Sequence, residues 1–260
     1  MMYSGIDLHS NNSVIAIIDD ADRVEAQKRL PNDVTKIIGF LVRWQEQLAG
    51  IVVESTYNWY WLVDGLQDAG FHVHLANTAA IKQYEGLKHS GDETDAQHLA
   101  HLLRLSILPT GTILPREQRA TRDLARKRMQ LVQSCTAHVL AVENIMAQQL
   151  GGRMTSNQIK RLTDDAVDNL SLAADVGLAI KANVAVIATL QSQIELLEKR
   201  LQERVKPRPQ YGLLTSVPGI GQTLATVILL ETGPIDRFAA AEQNRPPCVL
   251  GPWSETPSGS

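Results

Sequence analysis

The first 110 residues alternate short β-branched runs with amphipathic segments, and this order restricts the fold more than any other feature of the chain. The runs at 3–9 and 13–19 are separated by His-Ser-Asn-Asn, a turn-forming cluster that predicts a β-hairpin. The apolar runs at 50–54 and 71–76 are typical of buried strands. Helical spacing is found at 33–49, 59–69 and 92–108. The order β-β-α-β-α-β-α therefore predicts an α/β domain with a central sheet and helices packed on it.

From Pro115 to about residue 205 the apolar residues follow helical periods, and no segment has the convincing pattern of a strand. Pro115 suits the first turn of a helix, which can extend to the double glycine at 151–152. The apolar residues between them recur at steps of seven and four: Leu124, Leu131, Cys135, Val142 and Met146. This pattern predicts one long helix.

A second helical segment has apolar residues in steps of three and four, which is typical of a short coiled-coil seam. The residues of this seam are Ile187, Leu190, Ile194, Leu197 and Leu201. It fits an antiparallel pair within one chain as well as a dimer, and both describe a helical arm. The Lys-Pro-Arg-Pro sequence at 206–209 breaks the helix and predicts a linker. The last twenty residues are rich in Pro, Gly and Ser and predict an irregular tail.

The composition, with 44% hydrophobic and 20% charged residues, is that of an ordinary globular protein. The sequence has no signal pattern and no run of about 18 apolar residues, so we expect a cytoplasmic protein with no membrane partner. Cys135 and Cys248 lie far apart and form no metal-spaced pair, which favours a reducing compartment. The net charge of −3 does not by itself indicate a nucleic-acid-binding protein.

Basic residues are nevertheless concentrated between residues 116 and 128, where six of them stand against two acids. They are Arg116, Arg119, Arg122, Arg126, Lys127 and Arg128. Such a stripe can follow a phosphate backbone even when the total charge is negative. A solvated helix face with internal ion pairs has the same pattern, so both interpretations stay open.

Four acidic residues stand at positions that can bring them together. Asp7 lies among the apolar residues of the first strand, where a carboxylate is costly unless it is paired or coordinates something. Glu54 ends an apolar run, and Asp92 and Asp95 are three apart, which places both carboxylates on one helix face. Each has an ordinary explanation alone: an arginine partner, a loop position, or stabilisation of a helix N-terminus.

Taken together, these acids can converge at one edge of a sheet. Carboxylates held close together repel one another unless divalent cations neutralise them. Hard oxygen ligands favour Mg²⁺ or Mn²⁺ over zinc. Two such ions can clamp the attacking and leaving oxygens of a phosphodiester displacement. The set therefore predicts a nuclease or strand-transfer site more specifically than any of its members.

Several stretches resemble the DEDD transposases of insertion sequences: GIDLHSNN, VVEST, SGDETDAQHLAHLL and LLTSVPGIGQTLATVILLETGPIDRF. In order and spacing the resemblance extends from residue 1 to about residue 242. It implies a RuvC-like (RNase H-fold) α/β catalytic domain at 1–112 and an α-helical coiled-coil arm at 113–206. It also implies the start of a C-terminal transposase domain at 207–242, followed by an irregular, aberrant tail at 243–260.

The same resemblance implies the site and the partners. It assigns the metal-binding catalytic tetrad to Asp7, Glu54, Asp92 and Asp95, with Mg²⁺ or Mn²⁺ as the cofactor. Ser90 and Glu93 fit a capping box for the helix that presents the two aspartates. The implied partners are DNA, at the element ends and the target, and a guide RNA encoded by the element. Further copies of the chain are also implied, as dimers that assemble into tetramers.

The Pro-Gly-Ile-Gly turn resembles a helix-hairpin-helix element. Gly219 and Gly221 permit a tight turn whose backbone N–H groups can face a phosphate, and the next helix offers its positive end. A plain helical hairpin with a glycine turn is the alternative. In the context of the resemblance, contact with a nucleic-acid backbone is the expectation.

After Phe238 the sequence departs from the family pattern, in which a serine that attacks DNA and a Lys/Gly-rich stretch follow. The Pro-Pro pair at 246–247 forbids the expected helix. The serines that remain cannot be assigned as the nucleophile: Ser254, Ser258 and Ser260. We therefore expect a truncated or frameshifted C-terminus and the loss of full recombination.

Three other interpretations stay open. An RNase H-fold nuclease needs only the acidic site and forms no covalent adduct with DNA. A degenerate nucleic-acid-binding or dimerisation protein keeps the acids without catalysis, and its affinity for DNA falls with salt. An actin-like kinase also begins with an acid in a first hairpin, but it needs a glycine-rich phosphate loop, and we find none before residue 200.

Overall fold

The computed structural model describes residues 1–81 and 91–233, which form two compact units. The boundary between the units lies between Ile113 and Leu114 in the sequence. The predictions for Ser90, for Cys248 and for the C-terminal tail with its three serines lie outside the described residues.

Within the described residues, the first unit is a mixed sheet with helices packed on it. Its strands are β1 (Met2–Leu8), β2 (Asn12–Asp19), β3 (Val24–Pro31), β4 (Leu48–Glu54), β5 (Val73–Ala76) and β6 (Thr110–Gly111). Its helices are α1 (Val34–Leu41), α2 (Tyr60–Asp68), α3 (Thr78–Ile81) and α4 (Asp92–Arg104).

The strand order in the sheet is β3-β2-β1-β4-β5-β6. β1, β2 and β3 are antiparallel neighbours, β4 and β5 run parallel to β1, and β6 is antiparallel to β5. Three antiparallel strands followed by parallel strands, with helices on the sheet, fit an α/β domain of the RNase H-like class.

Two predictions for this unit were wrong in detail. The strand β3 was not predicted, because its sequence VEAQKRLP is mostly polar and lacks a regular apolar alternation, as suits an exposed strand at the sheet edge. The helix expected at 33–49 ends at Leu41 and is followed by a 3₁₀ turn at Val42–Trp44. The chain then enters β4 at Leu48, because this residue pairs with Met2 of β1.

The two faces of the sheet carry different helices. Ile6 and Leu8 of β1 belong to a large apolar core that includes Ile37 of α1 and Leu62 of α2. Side chains alternate along a strand, so Gly5 and Asp7 point to the opposite face. α4 packs on that face, where Ala96 joins a cluster with two residues of β2, and Leu99 joins one with residues of β4 and β5.

Gly5 permits an unusually close approach of α4 to the sheet. A Cβ atom at this position would lie 2.0 Å from the carbonyl oxygen of Ala96 and 2.8 Å from the backbone nitrogen of Ala100. Backbone atoms cannot move aside as the end of a flexible side chain can. The absence of a side chain at Gly5 therefore sets the distance between β1 and α4.

Hydrogen bonds fix α4 along its length. Near its beginning, Gln27 of β3 donates to the carbonyl oxygen of Glu93 at 3.0 Å and accepts from Gln97 at 2.9 Å. At its end, Arg104 pairs with Asp22 in the turn between β2 and β3, and His101 Nδ1 lies 2.9 Å from the same carboxylate. Desolvation alone would raise the pKa of Asp22, but the hydrogen bonds from His101 and Arg104 outweigh it and lower that pKa.

We expect Gly5→Ala to destabilise the first unit by about 1–3 kcal/mol, because the added methyl group overpacks the contact with α4. Thermal unfolding followed by circular dichroism measures this. Gly39→Ala in α1 is the matched control, since a Cβ atom there meets nothing within 4 Å. Alanine at that helical position should be neutral or stabilising by about 0.5–1 kcal/mol. Equal unfolding temperatures for the two variants would contradict the close packing at Gly5.

The described part of the second unit consists of helices. They are α5 (Arg116–Leu150), α6 (Ser156–Ile159), α7 (Asp164–Asp168), α8 (Ala174–Val205), α9 (Pro209–Ser216) and α10 (Gln222–Thr232). α5 begins after Pro115 and ends at Gly151, whose φ of 69° suits a glycine cap. A capping box of Thr155 and Gln158 begins α6.

The two long helices α5 and α8 pack side by side in antiparallel directions. The C-terminal half of α5 shares a buried cluster with the N-terminal half of α8, including Val142 and Ile180. The N-terminal part of α5 meets the C-terminal end of α8 at Ala125 and Leu201. Ile187 is buried in the first of these clusters, so part of the predicted seam is covered within one chain. The interpretation of this pair as a coiled-coil arm stays a prediction.

One helix in the described ranges, α8, is long and apolar enough to cross a membrane when only length and composition are considered. Such a helix is weak evidence on its own, and α8 packs along α5. The absence of a membrane partner therefore stays a prediction.

Candidate metal site at the edge of the sheet

Two of the predicted site residues lie at the carboxyl ends of neighbouring parallel strands. Ile6 of β1 pairs with Val53 of β4, and Asp7 and Glu54 each follow directly in the chain. Parallel strands in register point paired residues to the same face, so Asp7 and Glu54 both belong to the face that carries α4. Asp7 is buried, with 4% of its surface exposed, and Glu54 is half-buried.

The other two predicted residues lie in the first turn of α4. Asp92 is its first residue, and the backbone N–H of Asp95 donates to the carbonyl oxygen of Gly91 at 2.9 Å. Acids in the first turn are stabilised by the helix dipole. Gly91 takes the N-cap position without a side-chain hydrogen bond, so the prediction that Glu93 completes a capping box was wrong. Glycine at the N-cap leaves Thr94, rather than Glu93, three residues beyond the cap.

The structure brings Asp7 and Asp92 together with a histidine. Within the described ranges, ligand atoms of Asp7, His9 and Asp92 all lie within 4.8 Å of one another. His9 Nε2 is 3.3 Å from Asp7 Oδ2 and 3.4 Å from Asp92 Oδ2. Glu54 and Asp95 lie at the same sheet edge and the same helix turn but are not members of this close group.

The turn between β1 and β2 holds the backbone of His9. Its N–H donates to the carbonyl oxygen of Asn12 at 2.9 Å. Its carbonyl oxygen accepts from the side-chain amides of Asn32, at 2.9 Å, and Asn58, at 3.1 Å. Asn32 also accepts a hydrogen bond from the buried Ser13 hydroxyl at 2.8 Å. The backbone of His9 is therefore held by two side chains, those of Asn32 and Asn58, and by the backbone of Asn12.

An arginine balances part of the acidic charge. Arg29 of β3 donates from Nη2 to Asp92 Oδ2 at 2.7 Å and from Nη1 to Asn12 Oδ1 at 2.8 Å. The hydrogen bond from Arg29 is the main cause that lowers the pKa of Asp92, against desolvation, and the charges of His9 and Arg29 add to it. Asp92 is consequently ionised, as a metal ligand must be.

Sequence reasoning missed His9 and Arg29. His9 was assigned to a turn, although it is two residues beyond Asp7 and the strand alternation continues to the same face. That spacing was a usable signal. Arg29 could not be found, because it lies on the unpredicted β3 and is 63 residues from Asp92 in the sequence.

The residues present fit a divalent cation. Asp7 is a buried carboxylate in a strand, and the described structure places a histidine and a second carboxylate next to it. His9 Nε2 is shielded from solvent and has no hydrogen-bond partner among the described residues, although both carboxylates are near. Two carboxylate oxygens and an imidazole nitrogen form a donor set that divalent cations accept.

The basic stripe of α5 has structural partners. Arg119 is only 3% exposed, so the structure gives no support to its predicted contact with nucleic acid. Arg126 pairs with Glu231 of α10 at 2.6 Å, and Arg128 pairs with Glu198 of α8. These ion pairs favour the interpretation of the stripe as an internally paired helix face. They involve partners 105 and 70 residues away, which the local pattern cannot reveal.

The remaining basic residues and the glycine turn lie nearer the surface. Lys127 is exposed and contacts Gln130 at 3.0 Å, Arg116 is exposed, and Arg122 is half-buried with its Nε 3.9 Å from Asp123. Gly219 has a φ of 88°, which explains the requirement for glycine in the turn before α10. Gly221 is the N-cap of α10.

We expect Asn32→Ala to destabilise the protein by about 1–3 kcal/mol, because it removes the partner of the buried Ser13 hydroxyl and one of the two donors to the His9 carbonyl. Chemical denaturation measures the change. Asn11→Ala, in the turn between β1 and β2, is the matched control, since Asn11 is exposed. If Asn11→Ala cost as much as Asn32→Ala, the proposed support of His9 would be refuted.

Comparisons with known proteins agree with the resemblance seen in the sequence. A family model described as a transposase, of the DEDD type of IS110 elements, matches residues 4–150, which is more than half of the chain. A protein of Pseudomonas aeruginosa named as a probable family 20 transposase is 24% identical over 193 residues. The match covers 71% of this chain and 55% of that protein, so the chain spans about half the length of this relative.

Proposed function

This chain belongs to the family of IS110-type DEDD transposases, and we propose that its first unit binds a divalent cation for the cleavage and transfer of DNA strands. The observation that carries the proposal is the close group of Asp7, His9 and Asp92 at the sheet edge. Transposition of insertion-sequence DNA is the general activity of this family. The metal site and the chemistry of this chain are our proposal.

We propose that Asp7 and Asp92 hold the cation and that Glu54 and Asp95 complete the donor set. Glu54 ends the strand next to that of Asp7, on the same face of the sheet. Asp95 lies one turn along α4 from Asp92, so both carboxylates belong to one helix face. The ion is Mg²⁺ or Mn²⁺, as the predominance of carboxylates indicates. It would neutralise charge that develops on phosphoryl oxygens during a displacement at phosphorus.

The chain's own residues prepare this site in two ways. The close contact at Gly5 and the hydrogen bond that Gln27 donates to the carbonyl oxygen of Glu93 hold the first turn of α4 over the end of β1. Arg29 keeps Asp92 ionised and offsets part of the negative charge before a cation binds. Half of this guanidinium is exposed, so it can also attract a phosphate that enters from solvent.

We further propose that the second unit contacts the DNA backbone. The exposed Lys127 and the turn formed by Gly219 and Gly221 before α10 support this, because a helix N-terminus favours phosphate. The divisions at 112, 206 and 242, the guide RNA, and the assembly of dimers into tetramers are proposed from family membership. Exposed apolar side chains such as Leu140 on α5 and Leu196 on α8 are compatible with assembly.

Isothermal titration of the purified chain with MnCl₂ tests the proposed site. We expect the wild-type protein to bind Mn²⁺, and Asp7→Asn and Asp92→Asn each to weaken binding at least about tenfold, because each removes a charged ligand. Glu93→Gln is the matched control, since it removes one charge from the same turn of α4 at an exposed position. Its affinity should stay near that of the wild type.

Equal losses of Mn²⁺ affinity in Glu93→Gln and Asp92→Asn would mean that the ion is attracted only by the general negative charge of this region. No binding by the wild-type chain would refute the proposed site and favour a degenerate DNA-binding protein.

The activity is measured as nicking of a supercoiled plasmid in Mn²⁺. We expect the wild-type chain to nick this DNA, and Asp92→Asn to bind it with similar salt dependence but leave it intact. Equal nicking by both proteins would contradict a function of Asp92 in catalysis.

A further inference from the structure

We propose that His9 is a nitrogen ligand of the same cation, so that the centre has mixed oxygen and nitrogen donors and prefers Mn²⁺ to Mg²⁺. The inference rests on the proposed function of Asp7 and Asp92 as ligands. It goes beyond that function, because the tetrad contains only carboxylates and gives no function to the imidazole beside Asp7 and Asp92.

The separations between the donor atoms support a shared coordination sphere. His9 Nε2 is 3.3 Å from Asp7 Oδ2 and 3.4 Å from Asp92 Oδ2. Donors at right angles around an octahedral ion, with bonds of about 2.1 Å, lie about 3 Å apart. His9 Nε2 thus already has nearly the spacing of a neighbouring ligand to each of the two carboxylate oxygens, and all three ligand atoms lie within 4.8 Å of one another.

The ring of His9 lies beside two carboxylates. His9 Nε2 is almost fully shielded from solvent and has no hydrogen-bond partner among the described residues, although Asp7 Oδ2 and Asp92 Oδ2 lie within ion-pair distance of it. A shielded polar atom that makes no hydrogen bond is unfavourable. Coordination through the lone pair of the neutral imidazole would satisfy this atom, and metal-binding histidines commonly use Nε2 in this way.

The backbone of His9 is preorganised for such a function. The amide side chains of Asn32 and Asn58 both donate to its carbonyl oxygen, and its N–H is bonded within the turn. On the other side of Asp92, Arg29 donates to the same Oδ2 atom that faces His9. Ligands held by such supporting contacts bind a metal without loss of further conformational entropy.

A nitrogen donor changes the choice of ion. Mg²⁺ prefers oxygen ligands and gives up its bound waters reluctantly. An imidazole nitrogen therefore adds little to its affinity. Mn²⁺ is the weakest binder of the first-row series, but as a transition-metal ion it accepts an imidazole nitrogen more readily than Mg²⁺ does. His9 should therefore matter more for Mn²⁺ than for Mg²⁺.

Electron spin echo envelope modulation of the Mn²⁺-loaded full-length chain tests the inference directly. We expect ¹⁴N coupling from one imidazole in the wild-type protein and its loss in His9→Gln. His72→Gln, at the start of β5 and outside the close group, is the matched control and should retain the coupling. Thermal unfolding of each variant shows whether it is folded under the conditions of the measurement.

Calorimetry gives a second readout. We expect His9→Gln to lower the affinity for Mn²⁺ by about tenfold and the affinity for Mg²⁺ by clearly less. Mn²⁺ binding that depends on Asp92 but shows no ¹⁴N coupling would overturn the assignment of His9 and leave the carboxylate site intact. A ¹⁴N coupling that persists in His9→Gln would also overturn the assignment of His9 as a ligand. No Mn²⁺ binding by the wild-type chain would refute the proposed function and this inference together.

Discussion

The contact between Gly5 of β1 and the backbone of α4 is the constraint on which the candidate site depends. A Cβ atom at Gly5 would overlap the carbonyl oxygen of Ala96 at 2.0 Å, so any other residue must push the helix away. Asp7 lies two residues beyond Gly5, and Asp92 lies one turn before Ala96. The same contact that brings helix and sheet together therefore brings the two carboxylates together, with His9 between them.

The electrostatics of the site follow from this geometry. A buried strand carboxylate faces a second carboxylate at a helix N-terminus, and a single guanidinium from β3 offsets part of their charge. The pKa of Asp92 is lowered mainly by that guanidinium, so its carboxylate stays ionised. A charged site held by the turn around His9 fits our proposal that a cation binds there with little rearrangement of the protein.

Sequence reasoning found those parts of the first unit that depend on local pattern. The alternation of β1 and β2 and the continuous apolar run of β4 were visible, and the sheet with packed helices was predicted from their order. β3 was not predicted, because an exposed edge strand carries polar residues such as Lys28 and Arg29 on both faces. The helix predicted at 33–49 is longer than the observed α1, because only the pairing of Leu48 with Met2 determines where β4 begins.

The site itself was predicted in part, for a physical reason. Acids that stand out against apolar neighbours can be recognised one at a time, and Asp7 and Asp92 do meet in the structure. A histidine in a polar turn does not stand out, and its proximity to Asp92, 83 positions later in the numbering, depends on the packing of α4. The same limit applies to the basic stripe, where Arg126 and Arg128 find acidic partners on distant helices.

Anomalous X-ray scattering from a crystal of the full chain grown with Mn²⁺ tests the central claim most directly. The account predicts a strong manganese peak within bonding distance of carboxylate oxygens of Asp7 and Asp92, at the end of β1 and under the first turn of α4. A manganese peak at full occupancy elsewhere in the protein, or the absence of a manganese peak at this edge of the sheet, would contradict the account.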